Sequence, residues 1–221
     1  MRRSASPVLL VAALLLAGCA SDGAVSATPG PSASQPAPTA GETPLQTPAA
    51  ADLLVVGVDG IIFSDDGTSR SYPFAEPEQL LQLVETLTDQ PRSGEDFEDP
   101  WGGGEVMGTV YRWDEISVSV SKDGAASVSV VAPRVGGIPL QTSDGIAVGA
   151  TRAAATAAGA WEEWDADGDG HADHLGIDEQ ESPGTTSLSR PGEVGRVYIS
   201  LALDGDVVTE LHAPANDFSD L

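Results

Sequence analysis

Hydrophobic patterning divides the chain into three stretches. Val8 to Leu16 is an unbroken apolar run of nine residues behind Arg2 and Arg3. A bilayer span needs about 20 apolar residues, so this run has the proportions of a signal-peptide core. From residue 20 to residue 50 the patterning stops. That segment is mostly Ala, Ser, Thr, Gly and Pro, with prolines at 29, 31, 36, 38, 44 and 48 and no aromatic residue. It buries too little surface to offset its ordering entropy and reads as a disordered tether. As a coil it reaches roughly 30 Å, and fully extended at most about 95 Å.

Periodic patterning starts at Leu53. Leu53 to Phe63 reads as strand, with a further short strand at Tyr72 to Phe74. Pro77 suits a first helical turn, where its missing N–H has no intrahelical partner anyway. Leu80, Leu83, Val84 and Leu87 then recur at helical spacing, which predicts a helix from Pro77 to Thr88 with one apolar face. Glu95 to Gly104 reads as an acidic, glycine-rich loop holding Trp101. Ile116, Val118 and Val120 alternate with serines, and Ala126 to Val131 alternates back after a turn at Lys122 to Ala125. This is a hairpin with one buried and one wet face.

The second half follows the same order. A short alanine-rich helix over residues 151–158 ends at Gly159. Trp161 and Trp164 read as core anchors beside an acidic loop, and Val197, Ile199, Leu201 and Leu203 alternate toward one face. Asp204-Gly205 is a strong turn signal before Val207 to His212. Three landmarks recur at nearly constant spacing: Asp59-Gly60-Ile61 with Asp144-Gly145-Ile146, Ile116-Ser117-Val118 with Ile199-Ser200-Leu201, and Ala132-Pro133 with Ala213-Pro214. The expectation is an α+β fold in which helices cover one face of an antiparallel sheet, built from two tandem strand–helix–hairpin repeats. The expected boundaries are 1–18 for the signal peptide, 19–50 for the tether, 51–134 for the first repeat and 135–221 for the second.

Charge narrows the partners. There are 34 acidic residues against 10 basic, for a net charge of −24. Such a surface repels nucleic acid and gathers cations. The single cysteine, Cys19, has no second thiol with which to form an internal disulfide.

Cys19 closes the sequence Leu16-Ala17-Gly18-Cys19 directly behind the apolar run. This resembles the lipobox of bacterial lipoproteins. The resemblance implies cleavage before Cys19, a diacylglycerol thioether on its sulfur, and a domain tethered at the extracytoplasmic face of the cell membrane. It extends over the first 19 residues only.

One motif carries chemistry. Asp165-Ala166-Asp167-Gly168-Asp169-Gly170-His171-Ala172-Asp173 places Asp at positions 1, 3, 5 and 9 and Gly at position 6. It resembles the calcium loop of EF-hand and dockerin-type proteins. Calcium takes six to eight hard oxygen ligands, and a tight loop aims alternate carboxylates inward. The resemblance implies side-chain ligands from Asp165, Asp167 and Asp169, the backbone carbonyl of His171, and Asp173 directly or through water. Position 12 is Gly176 rather than glutamate, which leaves Asp178, Glu179 or Glu181 to complete the shell. Flanking helices are not predicted, so the loop stands alone. Zinc, using His171 and His174, is the competing metal, though structural zinc prefers closed sets of Cys and His.

No serine or cysteine lies in a nucleophile motif, and no glycine-rich phosphate loop follows a strand. Glu162-Glu163 and Asp65-Asp66 read as solvated acidic surface, and His212 as an ordinary surface residue on a strand. The expected function is a monomeric, non-enzymatic binding or structural module with a protein or cell-wall partner. A protein inhibitor or adhesin is the alternative, loosely similar in layout to the duplicated domains of secreted β-lactamase inhibitor proteins. The aromatic content of 5% counts against it. A calcium-dependent hydrolase ranks last.

Overall fold

The computed structural model describes residues 51–98 and 103–219. The Leu16–Cys19 motif, the tether and Trp101 lie outside them. The described chain opens with three strands, β1 (Leu53–Gly57), β2 (Gly60–Asp65) and β3 (Thr68–Pro73), and then helix α1 (Pro77–Thr88). Next come β4 (Gly94–Glu98), β5 (Val106–Arg112), β6 (Ile116–Ser121) and β7 (Ala126–Val130). A short pair, β8 (Arg134–Val135) and β9 (Ile138–Thr142), precedes helix α2 (Arg152–Ala157). The last four strands are β10 (Trp161–Trp164), β11 (His174–Thr186), β12 (Val194–Asp204) and β13 (Val207–Asn216).

Two sheets result. The smaller has the order β3-β2-β1-β9-β8, and the larger β10-β11-β12-β13-β7-β6-β5-β4. The larger is antiparallel throughout, whereas β1 and β9 pair in parallel, with Leu54 opposite Leu140. The α+β expectation is therefore corrected. The described chain is mostly strand, its two helices are short, and the architecture is sandwich-like. The strand–helix–hairpin unit is corrected too, because each helix leads into four consecutive antiparallel strands. The meanders β4–β7 and β10–β13 meet edge to edge at β7 and β13, through Val130–Leu211, Ser129–His212 and Val128–Ala213. Both halves feed both sheets, and the described residues belong to one compact unit.

Local sequence explains most elements. In β6 and β7 the apolar residues Ile116, Val118, Ala126, Val128 and Val130 are buried, and the intervening serines are half-buried. Helix α1 buries Leu80, Leu81, Leu83 and Val84 and ends at Asp89, which adopts a left-handed conformation (φ 52°). Arg92 then reaches back to Glu78 (2.8 Å) and Glu85 (2.9 Å), fixing the exit from the helix. Gly159, at φ 100°, follows the end of α2 as expected.

Two readings fail locally. Leu53 to Phe63 is two strands joined by a tight turn at Val58-Asp59, and Gly60 of the landmark opens β2 opposite Gly57. A Cβ on Gly60 would lie 2.4 Å from the carbonyl oxygen of Tyr72. Glu95 to Glu98 is not loop but part of edge strand β4, where charged side chains discourage further pairing. Strand β11 runs through Ser182-Pro183-Gly184, with register breaks between Ile177 and Gln180 and again between Glu181 and Thr186.

A single core joins Leu54, Val56 and Ile61 of the small sheet, Leu80 and Val84 of α1, and one face of the large sheet. That face carries Val118, Val128, Ile199, Leu201 and Leu211, among others. The opposite face of the large sheet carries the serines of β6 and β7 and is open.

Candidate functional site

The Asp-rich segment is the hairpin loop joining β10 to β11, with Trp164 opposite His174 at its base. Its flanks are strands rather than the helices of an EF-hand. Gly168 (φ 74°) and Gly170 (φ 90°) let the backbone turn where a side chain would strain it. The loop folds on its own carboxylates. Asp165 accepts the N–H of Gly168 (2.7 Å) on one oxygen and that of Gly170 (2.9 Å) on the other. Asp167 accepts from Asp169 N–H (3.0 Å), and Asp169 accepts from His171 N–H (2.8 Å). The Gly170 amide first, and then those of Gly168 and Asp169, hold the Asp165 carboxyl below the usual carboxylate range.

Asp165, Asp167 and Asp169 each direct a carboxylate oxygen into one group, all within 4.8 Å of one another. Three anions at that spacing repel unless a cation lies between them, and a divalent cation with hard-oxygen preference matches the donor set. Asp173 is not in the group. It closes the loop instead, accepting Ala166 N–H at 2.7 Å. The group contains no histidine. The His174 ring stacks on Trp164, with centroids 5.4 Å apart. Gly176 lies beneath Trp161 and offers no side chain. Of the proposed substitutes for position 12, Glu179 is paired with Arg190 (3.5 Å) and Arg196. Asp178 lies near Asp144 and Asp59, and its carboxyl is raised by burial first and then by those two charges. A second acidic group, Asp52, Asp65 and Asp66, sits where β2 turns into β3, beside the start of β1. There Asp52 is the main cause of a raised Asp65 carboxyl.

The open face of the large sheet holds residues that the sequence reading passed over. Trp161, Gly176, Ser200, His212, Ser129, Ser117 and Arg112 form one continuous row of paired residues across the strands. His212 is at its centre. Ser129 Oγ lies 3.0 Å from its Nδ1, and burial pushes its pKa below the ordinary histidine value. Glu163 is likewise more than solvated surface. It accepts Tyr198 O–H at 2.6 Å and Ser200 O–H at 2.7 Å. Burial first, and then this carboxylate, raise the Tyr198 hydroxyl and keep it protonated. Trp161 packs edge-on to Tyr198 (5.2 Å), but Trp164 is 59% exposed and is no core anchor. Clues existed in the single histidine within the last alternating run and in a Trp-Glu-Glu-Trp strand.

No family model, curated protein or solved structure matches the chain. No helix among the described residues is long and apolar enough to cross a membrane.

Proposed function

We propose that the protein is a non-enzymatic binding module, held at the extracytoplasmic face of the membrane by lipid on Cys19 and stiffened by calcium in the Asp165–Asp173 loop. The observation that supports calcium is the convergence of the Asp165, Asp167 and Asp169 carboxylates within 4.8 Å on a glycine-turned hairpin loop. The ion would tie the ends of β10 and β11 together at the sheet edge. With three side-chain donors and no position-12 glutamate, affinity falls in the weak range of extracellular modules, roughly 10⁻⁴ to 10⁻³ M.

Calorimetric titration and thermal unfolding test this. Calcium raises Tm and a chelator lowers it, by mass action on the folded state. Magnesium does less, because it demands a tighter octahedral shell. Asp169→Ala removes most of the response, and His171→Ala leaves it nearly intact. A chain that shows no response at millimolar calcium has only a turn there.

Hydrolysis fits the open face poorly. At Ser200, Glu163 meets the hydroxyl directly rather than orienting an imidazole from behind, so the base-and-orienter order of a serine nucleophile is missing there. The adhesin or inhibitor reading gains from Trp164, a large aromatic standing exposed at the rim of that face.

A further inference from the structure

Two cavities open on the same face of the large sheet. One, of about 340 Å³, is lined by Glu163, Trp164, His174, Tyr198 and Glu210, among others. The other, of about 650 Å³, is lined by Phe97, Glu98, Met107 and Asp123, with serines of β6 and β7. They share His212, Pro214 and Asn216, so together they form one trough across the meander junction. Eight strands at a spacing of about 4.8 Å make the face roughly 34 Å wide, too long for one small molecule and suited to a polypeptide segment.

The trough has a sign. Glu163 and Glu210 line one end and Glu98 and Asp123 the other, and neither cavity is lined by lysine or arginine. Each oxygen of Glu163 already accepts one hydroxyl proton, which fixes its position, and each keeps a lone pair for a further donor. Trp164 stacks one face on His174 and is otherwise largely exposed at the same cavity. A carboxylate held in place beside an exposed indole is the combination that recognises a guanidinium or ammonium group.

Charge argues against this chain as the occupant. Residues 19–50 contain no lysine or arginine, and a second copy would bring another net charge of −24. We propose that the trough docks a segment of a different, basic protein. Its arginine or lysine enters between Glu163, Glu210 and Trp164, and an apolar side chain settles toward Phe97 and Met107. This rests on reading the protein as a binding module and not on calcium.

The test is a titration of the ¹⁵N-labelled full chain with N-acetyl-arginine amide, and with N-acetyl-norleucine amide as the neutral control. The arginine probe is expected to shift the Trp164 indole and the Ser200 and His212 amides with a roughly millimolar Kd, as its size allows. The neutral probe leaves them in place. Glu163→Gln weakens the arginine probe about tenfold. Glu210→Gln, which leaves the Tyr198 and Ser200 hydrogen bonds to Glu163 intact, weakens it in the same sense should the first variant disturb the fold. Glu193→Gln, an exposed control, does not. Arg-containing segments selected from a displayed random-peptide pool add shifts at Phe97 and Met107. Persistence of arginine binding in a chelator separates this site from the calcium loop. Equal shifts from both probes, no shift at Trp164, or full binding by both Glu163→Gln and Glu210→Gln overturn the proposal. Tetramethylammonium binding as well as arginine, with no basic residue enriched among selected peptides, overturns the protein partner in favour of a small amine.

Discussion

Gly176→Ala is the sharpest test of how the open face is built. Gly176 sits in β11 directly opposite Trp161 in β10. A Cβ there would lie 2.2 Å from Cζ2 and 2.4 Å from Cε2 of the indole, so the ring must lift off the strand. Lifting it breaks the edge-to-face contact with Tyr198, worth about 0.5–1.5 kcal/mol. It also breaks the stacking of Arg190 over the indole, worth about 0.5–1 kcal/mol at a partly exposed site. Exposing about 50 Å² of ring surface adds about 1.2 kcal/mol. Against this, alanine loses less backbone entropy than glycine in a strand, a gain of about 0.5–1 kcal/mol. The losses win, by about 2 kcal/mol. For a domain of this size that lowers Tm by roughly 4–8 °C. Urea unfolding of Gly176→Ala, Trp161→Ala and the double variant isolates the contact. In the Trp161→Ala background the glycine substitution should become neutral or slightly stabilising. An equal cost in both backgrounds would show that the indole does not lie over Gly176.

His212 ties stability to pH. Burial favours its neutral form in the folded state, so the unfolded chain takes up a proton that the folded chain refuses. Its contribution is present above the unfolded value of about 6.5 and is lost as pH falls through the lowered folded value. Urea midpoints of the parent should therefore drop more on acidification than those of His212→Gln, and parallel lines would refute this. Gly170→Val, at φ 90° in the Asp loop, should cost roughly 1–3 kcal/mol of backbone strain and weaken calcium binding, read by calorimetry. Cys19→Ser should release the protein from the membrane fraction or leave it unprocessed, and mass spectrometry of the native N-terminus should find acyl chains on Cys19. An unmodified thiol there would rule out the anchor.

What could be read in advance follows from how local each signal is. Helix α1 was legible to its ends, because Pro77 starts it, the leucine spacing carries it and Pro91 follows close behind. The hairpins at Lys122 to Ala125 and Asp204-Gly205 were legible because valine–serine alternation and turn residues act over a few positions. Strand β4 was hidden because Glu95, Asp96 and Glu98 are poor strand formers, made tolerable only by an edge position. Similarly, β3 was mostly missed, since Thr68 to Ser71 has no apolar residue. The Asp165, Asp167 and Asp169 grouping was visible from alternate spacing. The roles of His212, Glu163 and Trp164 were not, because they depend on which strands become neighbours across the sheet.

The meander junction has a consequence for how the chain reaches this state. Within each meander every strand pairs with the next in sequence, so those contacts form quickly and close short loops. The β7–β13 and β1–β9 pairings join positions more than 80 residues apart, and their loop-closure cost must be met before any contact rewards it. Until the second half emerges, β1 and β7 each present an unsatisfied edge. If the chain is exported as proposed, it is in that condition throughout its passage, and assembly then depends on β13 reaching β7 before another molecule's edge does.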